Sequence, residues 1–260
     1  MIAARLKNIK SITFQTRLNG PPMLMKTKCI DIYYCSGKIS EKILGNRYDQ
    51  KMKIKKIFPV FKKDFVDKKF SSKVKNCLVI PYNIRSNWYD SGRHIVANTD
   101  HIKDFLEKIY SLSKKYKKIN FFIKFKSNTW LYDKDIKKIV ISLKSMKNVK
   151  VFQNFILNKN IISKIDLVLG QPSSLIETCV SANIPSLIYE KNEGYTKFVE
   201  CFPEEMLCNK NNIIEKFDET LINYKIIQLK IKKINELTFY DYSSKKMDLI
   251  KKEINELCQK

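Results

Sequence analysis

The stretch DLVLGQPSSLIETCVSANIPSLIYE, residues 166–190, carries the side chains whose types and spacing suit chemistry. An apolar run stops at Gly170, and two serines, Ser173 and Ser174, open a helical pattern in which Glu177 follows them by four and three residues. Residues three and four apart share a helix face, so both hydroxyls and the carboxylate lie on one side. Backbone N–H groups at a helix start have no intrahelical partner and sit at the positive end of the dipole. Such a start, with hydroxyls beside it, suits a phosphate. Glu177 repels phosphate but accepts hydrogen bonds from ribose or sugar hydroxyls, and a phosphate next to vicinal hydroxyls describes a nucleotide. Gly170 is expected to let the chain bend sharply off its strand, with Gln171 and Pro172 forming the entry to the helix. The same residues fit a plainer arrangement, in which Ser173 or Ser174 caps the helix and Glu177 completes a capping box. Local physics leaves both open.

These residues need a scaffold. From residue 76 onward, short β-branched runs alternate with longer helical patterns: NCLVIPYN, INFFIKFKS, NVKVFQN, IDLVLG and PSLIYE read as strands, with helices over 100–118, 133–146, 158–164 and 173–183. That alternation predicts βαβ units, and continuous apolar strands predict a doubly wound, Rossmann-like parallel sheet buried on both faces. Ligands bind such sheets at the carboxyl ends of the strands, where the strand order reverses. Three loops carry polar residues there: Asn83 and Arg85 after the first strand, Lys124 and Lys126 at the end of the second, and Gly170, Gln171, Ser173 and Ser174 after the fourth. Glu190, ending the fifth strand, is a further candidate for sugar hydroxyls. The two lysines also fit a solvated strand end.

After Gly194 the chain turns helical, at 195–201, 210–217, 219–235 and 243–258, and Met247, Ile250, Ile254 and Leu257 give the last helix one apolar side to pack. Residues 1–75 differ: IKSITFQT and KCIDIYYCS are strand-like, KISEKILGN is helical, and KKIFPVF is extended. Two or three strands cannot cover both faces of a sheet. The expected organisation is a partial N-terminal α/β domain with an interdomain connection over 1–75, and a nucleotide-binding domain with C-terminal helices over 76–260.

Composition sets outer bounds. A chain of 260 residues, 44% hydrophobic and 29% charged, buries a substantial core. It has no run of roughly 18 apolar residues and no signal-peptide core, so a cytoplasmic location is expected. Seven scattered cysteines without a CxxC pair and two histidines, His94 and His101, argue for reduced structural thiols and against a metal site. The net charge of +24 could address nucleic acid, an anionic membrane or an acidic substrate. The lysines are spread over nearly every segment and are not interleaved with aromatics, which argues against nucleic acid. Peripheral contact with an anionic inner membrane face is compatible with them.

The run Asp166–Glu177, followed by Ala182-Asn-Ile-Pro-Ser-Leu-Ile-Tyr-Glu190, resembles the nucleotide-sugar-binding half of GT-B glycosyltransferases of bacterial capsule and lipopolysaccharide synthesis. IKFK at 123–126 falls where such proteins often carry Lys-x-His-Pro, with Lys126 in place of the histidine. ITFQTR at 12–17 falls where many carry Gln-His-Gly, with Thr16-Arg17 replacing His-Gly. CIDIYYCSGKISEKIL and IFPVFKKD resemble further segments of the same family. The resemblance implies two Rossmann-like domains, the first truncated here, and a donor held by the second without a metal or other cofactor. It also implies transfer of the sugar to a glycan or lipid-linked acceptor. Carried over, Ser173 and Ser174 would hold donor phosphate, Lys124 its charge, and Glu177 the ribose or sugar; no residue is assigned as catalytic. The expected function is a glycosyltransferase or its donor-binding part. The alternatives are a non-catalytic nucleotide-sugar-binding remnant or subunit, and a basic protein docking on nucleic acid or anionic membrane.

Overall fold

The computed structural model describes residues 11–14, 31–35, 53–56, 71–82, 89–90, 93–94, 99–125, 128–152, 159–189, 202, 204–238 and 244–258. Asn83, Arg85, Lys126 and Glu190 lie outside the described residues, as do the helices expected at 38–46 and 195–201. The strands in chain order are β1 (Ile12–Phe14), β2 (Ile32–Cys35), β3 (Lys53–Lys56), β4 (Asn76–Ile80), β5 (Tyr89–Asp90) and β6 (Arg93–His94). They continue with β7 (Asn120–Lys124), β8 (Val149–Phe152), β9 (Leu167–Gly170), β10 (Ser186–Tyr189) and β11 (Leu207–Cys208). The helices are α1 (Thr99–Lys115), α2 (Lys134–Lys144), α3 (Lys159–Ile162), α4 (Ser174–Ser181), α5 (Ile213–Ile222), α6 (Tyr224–Thr238) and α7 (Ser244–Cys258). The short β5–β6 hairpin and β11 carry no clear periodicity and were not expected from the sequence.

Two compact units emerge, Met1–Asp64 with Lys233–Lys260, and Phe65–Lys232. The sequence places the last helix with residues 76–260; the structure places it with the first unit. The reason is packing: Ile250 is buried with Ile32 and Tyr34 of β2, and Ile12 and Ile254 lie against them. The apolar side of α7 therefore covers the parallel β1-β2-β3 sheet. Asp31 ties the start of that sheet, accepting from the Ser11 N–H at 2.8 Å and the Ser11 hydroxyl at 3.0 Å.

The second unit is built on a six-stranded, wholly parallel sheet in the order β11-β10-β9-β4-β7-β8. Alternate residues point to opposite faces of a strand. Val79, Ile123, Leu169 and Tyr189 join Phe105 of α1, Val140 of α2 and Phe217 of α5 in one core. Leu78, Ile80, Val168 and Ile188, which alternate with them, are also buried, and Ile176 Cδ1 of α4 lies 3.2 Å from where a Cβ on Gly170 would stand. The expected doubly wound α/β architecture is what forms.

Asp166 begins the family-like stretch, and its role is structural. Its carboxylate accepts from the backbone N–H of Lys75 and of Asn76, both at 2.9 Å, and its carbonyl accepts from the Tyr224 hydroxyl at 2.7 Å. It joins the amino ends of β4 and β9 to α6, remote from the carboxyl ends where the candidate site lies.

α4 ends in a Schellman motif: the Ile184 N–H donates to Cys179 C=O at 3.0 Å and the Asn183 N–H to Val180 C=O at 2.9 Å, with Asn183 at φ 59°. Asn183→Ala is expected to be less stable than Asn183→Gly by about 1 kcal/mol, because only alanine carries a Cβ into the left-handed region; paired urea titrations measure the difference. Burial, with smaller contributions that include the Asp166 charge, pushes the Tyr224 phenol up to about 12. Tyr224 therefore contributes stability that is complete below the ordinary tyrosine pKa of about 10 and is lost as pH rises toward 12. The urea midpoint of Tyr224→Phe is expected to fall less between pH 10 and 12 than that of the parent chain.

Candidate functional site

The strand order fixes where a ligand can sit. From β4 the chain steps outward through β7 and β8, then returns to the other side of β4 and steps through β9, β10 and β11. The reversal falls between β4 and β9, so the crevice of this sheet opens beyond Ile80 and Gly170, which are paired in register. The Gly170–Ser174 turn stands at that point.

Gly170 is there for space. A Cβ on it would meet the Ile80 Cβ at 2.9 Å, the Ile80 carbonyl oxygen at 3.1 Å and Ile176 Cδ1 at 3.2 Å. The expectation that it serves an unusual backbone angle is replaced by this: β9, β4 and α4 come together at one point that has no room for a side chain.

Gln171 is fully buried and its side chain is engaged. Its N–H donates to Ile80 C=O at 2.9 Å, its Oε1 accepts from the Tyr82 N–H at 2.7 Å, and its Nε2 donates to His101 C=O at 3.4 Å. The amide thus joins the ends of β9 and β4 to the first turn of α1. Sequence reasoning placed Gln171 among ligand contacts; its side chain acts as a latch between three elements. A polar residue directly after an apolar strand is the same signal for either role.

Ser173 has extended backbone angles, φ −157° and ψ 156°, and occupies the N-cap position of α4. Its hydroxyl makes no capping bond, and Oγ is buried without a hydrogen-bond partner in the structure. The capping-box arrangement also fails on position, because the third residue of α4, where the reciprocal glutamate belongs, is Ile176 and Glu177 comes one later. A buried hydroxyl left unpaired costs on the order of 1–3 kcal/mol. The N–H groups of Ser174 and Leu175 precede the first bond of the helix, from the Ile176 N–H to Ser173 C=O at 3.0 Å. A hydroxyl and free amides at a helix start form a donor set suited to an anion. Ser174 and Glu177 stand on α4 at its first and fourth positions.

Lys124 ends β7, one step beyond the Val79–Ile123 pair. β7 and β9 flank β4, so the Cα atoms of Lys124 and Gly170 stand roughly 10 Å apart along one row of strand ends. Lys124 is half-buried, on the β7 face opposite Phe121 and Ile123. The structure thus brings Gly170, Gln171, Ser173 and Ser174 into one turn, with Lys124 two strands away.

No protein-family model and no curated protein sequence matches the chain. Solved structures match it in fold. MnaA of S. aureus, solved with UDP, aligns with TM-score 0.64 at 13% identity, covering 100% of this chain and 71% of that one. MurG of Acinetobacter baumannii aligns with TM-score 0.58 at 13% identity, over 96% and 69%. The UDP-GlcNAc 2-epimerase of Neisseria meningitidis, bound to UDP-GlcNAc, aligns with TM-score 0.57 at 16% identity, over 88% and 66%. The chain therefore has the Rossmann-like GT-B fold of these neighbours and spans 66% to 71% of their length.

Gly170→Ala is expected to lower stability by about 1–3 kcal/mol, since neither Ile80 backbone nor the start of α4 can retreat without disturbing the sheet. Chemical denaturation checks it, and an unchanged midpoint would show that the three elements are not as tightly apposed as described.

Proposed function

We propose that the chain binds a nucleotide sugar in the crevice between the ends of β4 and β9 and transfers its sugar to a glycan or lipid-linked acceptor of a cell-surface polymer. The observation that carries this reading is the Ser173 hydroxyl, buried and unpaired at the start of α4 and at the switch point of the sheet. In this reading the hydroxyl and the first amides of α4 receive donor phosphate, Lys124 supplies positive charge from the neighbouring strand end, and Glu177 accepts from ribose or sugar hydroxyls. Two fold neighbours solved with UDP or UDP-GlcNAc support the ligand class. The chain works at the cytoplasmic face, where nucleotide sugars are made.

A second reading, chemistry on the nucleotide sugar alone, is supported by the N. meningitidis alignment, to a 2-epimerase. Proton NMR of UDP-GlcNAc with the purified chain separates the two. A new sugar spin system without UDP release indicates epimerisation; UDP appearing only with an acceptor indicates transfer; neither, with binding intact, indicates a non-catalytic binding module.

Ser173→Ala provides the test of the site. Removing an unpaired buried hydroxyl is expected to leave the melting temperature of the free protein unchanged or a few degrees higher. UDP or UDP-GlcNAc at 100 times its Kd is expected to stabilise the parent by about 2.7 kcal/mol, and the variant by much less. Absence of a shift with UDP-, GDP-, CMP- and ADP-linked ligands alike would sink the proposal.

A further inference from the structure

The net charge and the solvent side of one helix have no part in the crevice. α5 and α6 follow one another with only Asn223 between them, and the Ile227 N–H donates to Asn223 C=O at 3.0 Å, so helical bonding resumes at once. Tyr224, Gln228 and Ile231 form the inward side of α6, with relative exposures of 3%, 2% and 1%. On the other side of α6, Ile226 and Leu229, at i and i+3 spacing, are 57% and 61% exposed, and Ile222, which ends α5, is 81% exposed. Two large aliphatic side chains held in water on one helical face, close in sequence to a third, are not explained by core packing.

Lysines surround the stripe. Lys225, Lys230 and Lys232 are exposed, and the segment from Ile222 to Lys232 contains no acidic residue. Lys230 pairs with Glu205 at 3.4 Å, whereas Lys225 and Lys232 have no ion pair among the described residues. Lys225 and Lys232, seven residues apart, share one flank of Ile226 and Leu229, and Lys230 stands on the other. Such a face matches an anionic interface: the aliphatic groups enter the headgroup boundary and the lysine heads stay at the phosphate level. The attraction per lysine near such a surface is additive and screened by salt. Tyr224 binds the Asp166 carbonyl beside the amino end of β9, so this stripe starts at the end of the sheet opposite the crevice.

We propose that the solvent side of α6, through Ile226, Leu229, Lys225 and Lys232, docks this unit on an anionic lipid bilayer. The attachment is peripheral and needs no spanning segment; among the described residues no helix is long and apolar enough to cross a membrane. It is independent of the crevice and leaves the nucleotide-sugar reading free to stand or fall by itself.

The test is co-sedimentation of the full chain with vesicles of phosphatidylcholine alone and of phosphatidylcholine with 30% phosphatidylglycerol, at low and at physiological salt. Binding is expected only to the anionic vesicles, and weaker at higher salt. Ile226→Ser with Leu229→Ser leaves the net charge untouched and alters only exposed positions, and is expected to weaken binding at least tenfold. Lys225→Gln with Lys232→Gln is expected to weaken it severalfold and to flatten the salt dependence. Parent-like binding by the serine pair would overturn the proposal in favour of attraction by overall charge, and no binding at all would overturn it outright. Sedimentation velocity in the absence of lipid reads the other occupant: a dimer that the serine pair abolishes would assign the stripe to a second copy. The UDP-induced melting shift of each variant serves as the control, since it reports on the crevice and should equal that of the parent.

Discussion

The contact between β9 and β4 at Gly170 and Ile80 is the constraint on which the rest of the second unit depends. Gly170 lets two strand backbones and the first turn of α4 share a space that a single methyl group would fill. That close approach brings the Ser173 turn directly over the strand-order reversal, and it allows the Gln171 amide to reach both Tyr82 and His101. At the other end of the same strands, the Asp166 carboxylate holds the β4 backbone in register. β9 is thus fixed at both ends by side chains of its own flanking residues, a carboxyl group at one end and an amide at the other.

This fixation has a consequence for the site. The turn after β9 has almost no freedom left for its backbone: Gln171 and Pro172 are buried, and the Gln171 N–H is bonded to β4. On the proposed reading, a donor set for an anion gains from such rigidity, because amides and a hydroxyl held in place need no reorganisation when charge arrives. The unpaired Ser173 hydroxyl is then the cost of that preorganisation, a local loss of stability.

Much of the architecture was legible because it rests on local periodicity. The five strands between 76 and 190, their helices and the order of elements follow from apolar runs and helical spacing, and the structure has them within a few residues. What periodicity missed were short pieces without a pattern of their own: β11, two residues long, exists because the edge of β10 supplies its hydrogen bonds, and β5 and β6 pair with each other. The last helix shows the same limit from the other side. Its apolar stripe declared that it packs, but Ile250 and Ile254 would suit either sheet, and only the fold chose β2.

The candidate site divides likewise. By itself the sequence determined that a strand-turn-helix with serines and a glutamate stands at residues 166–177, since strand and helix formation there depend on near neighbours along the chain. Only the tertiary structure decided what each member of that turn does, because the deciding partners are remote in sequence: Ile80 lies 90 residues before Gly170, and Tyr82 lies 89 before Gln171. A glycine chosen for its angles and a glycine chosen for lack of room are the same letter, as are a glutamine that meets a ligand and one that latches two strands. The distinction resides in distances between separate strands, which the fold sets and the local sequence does not.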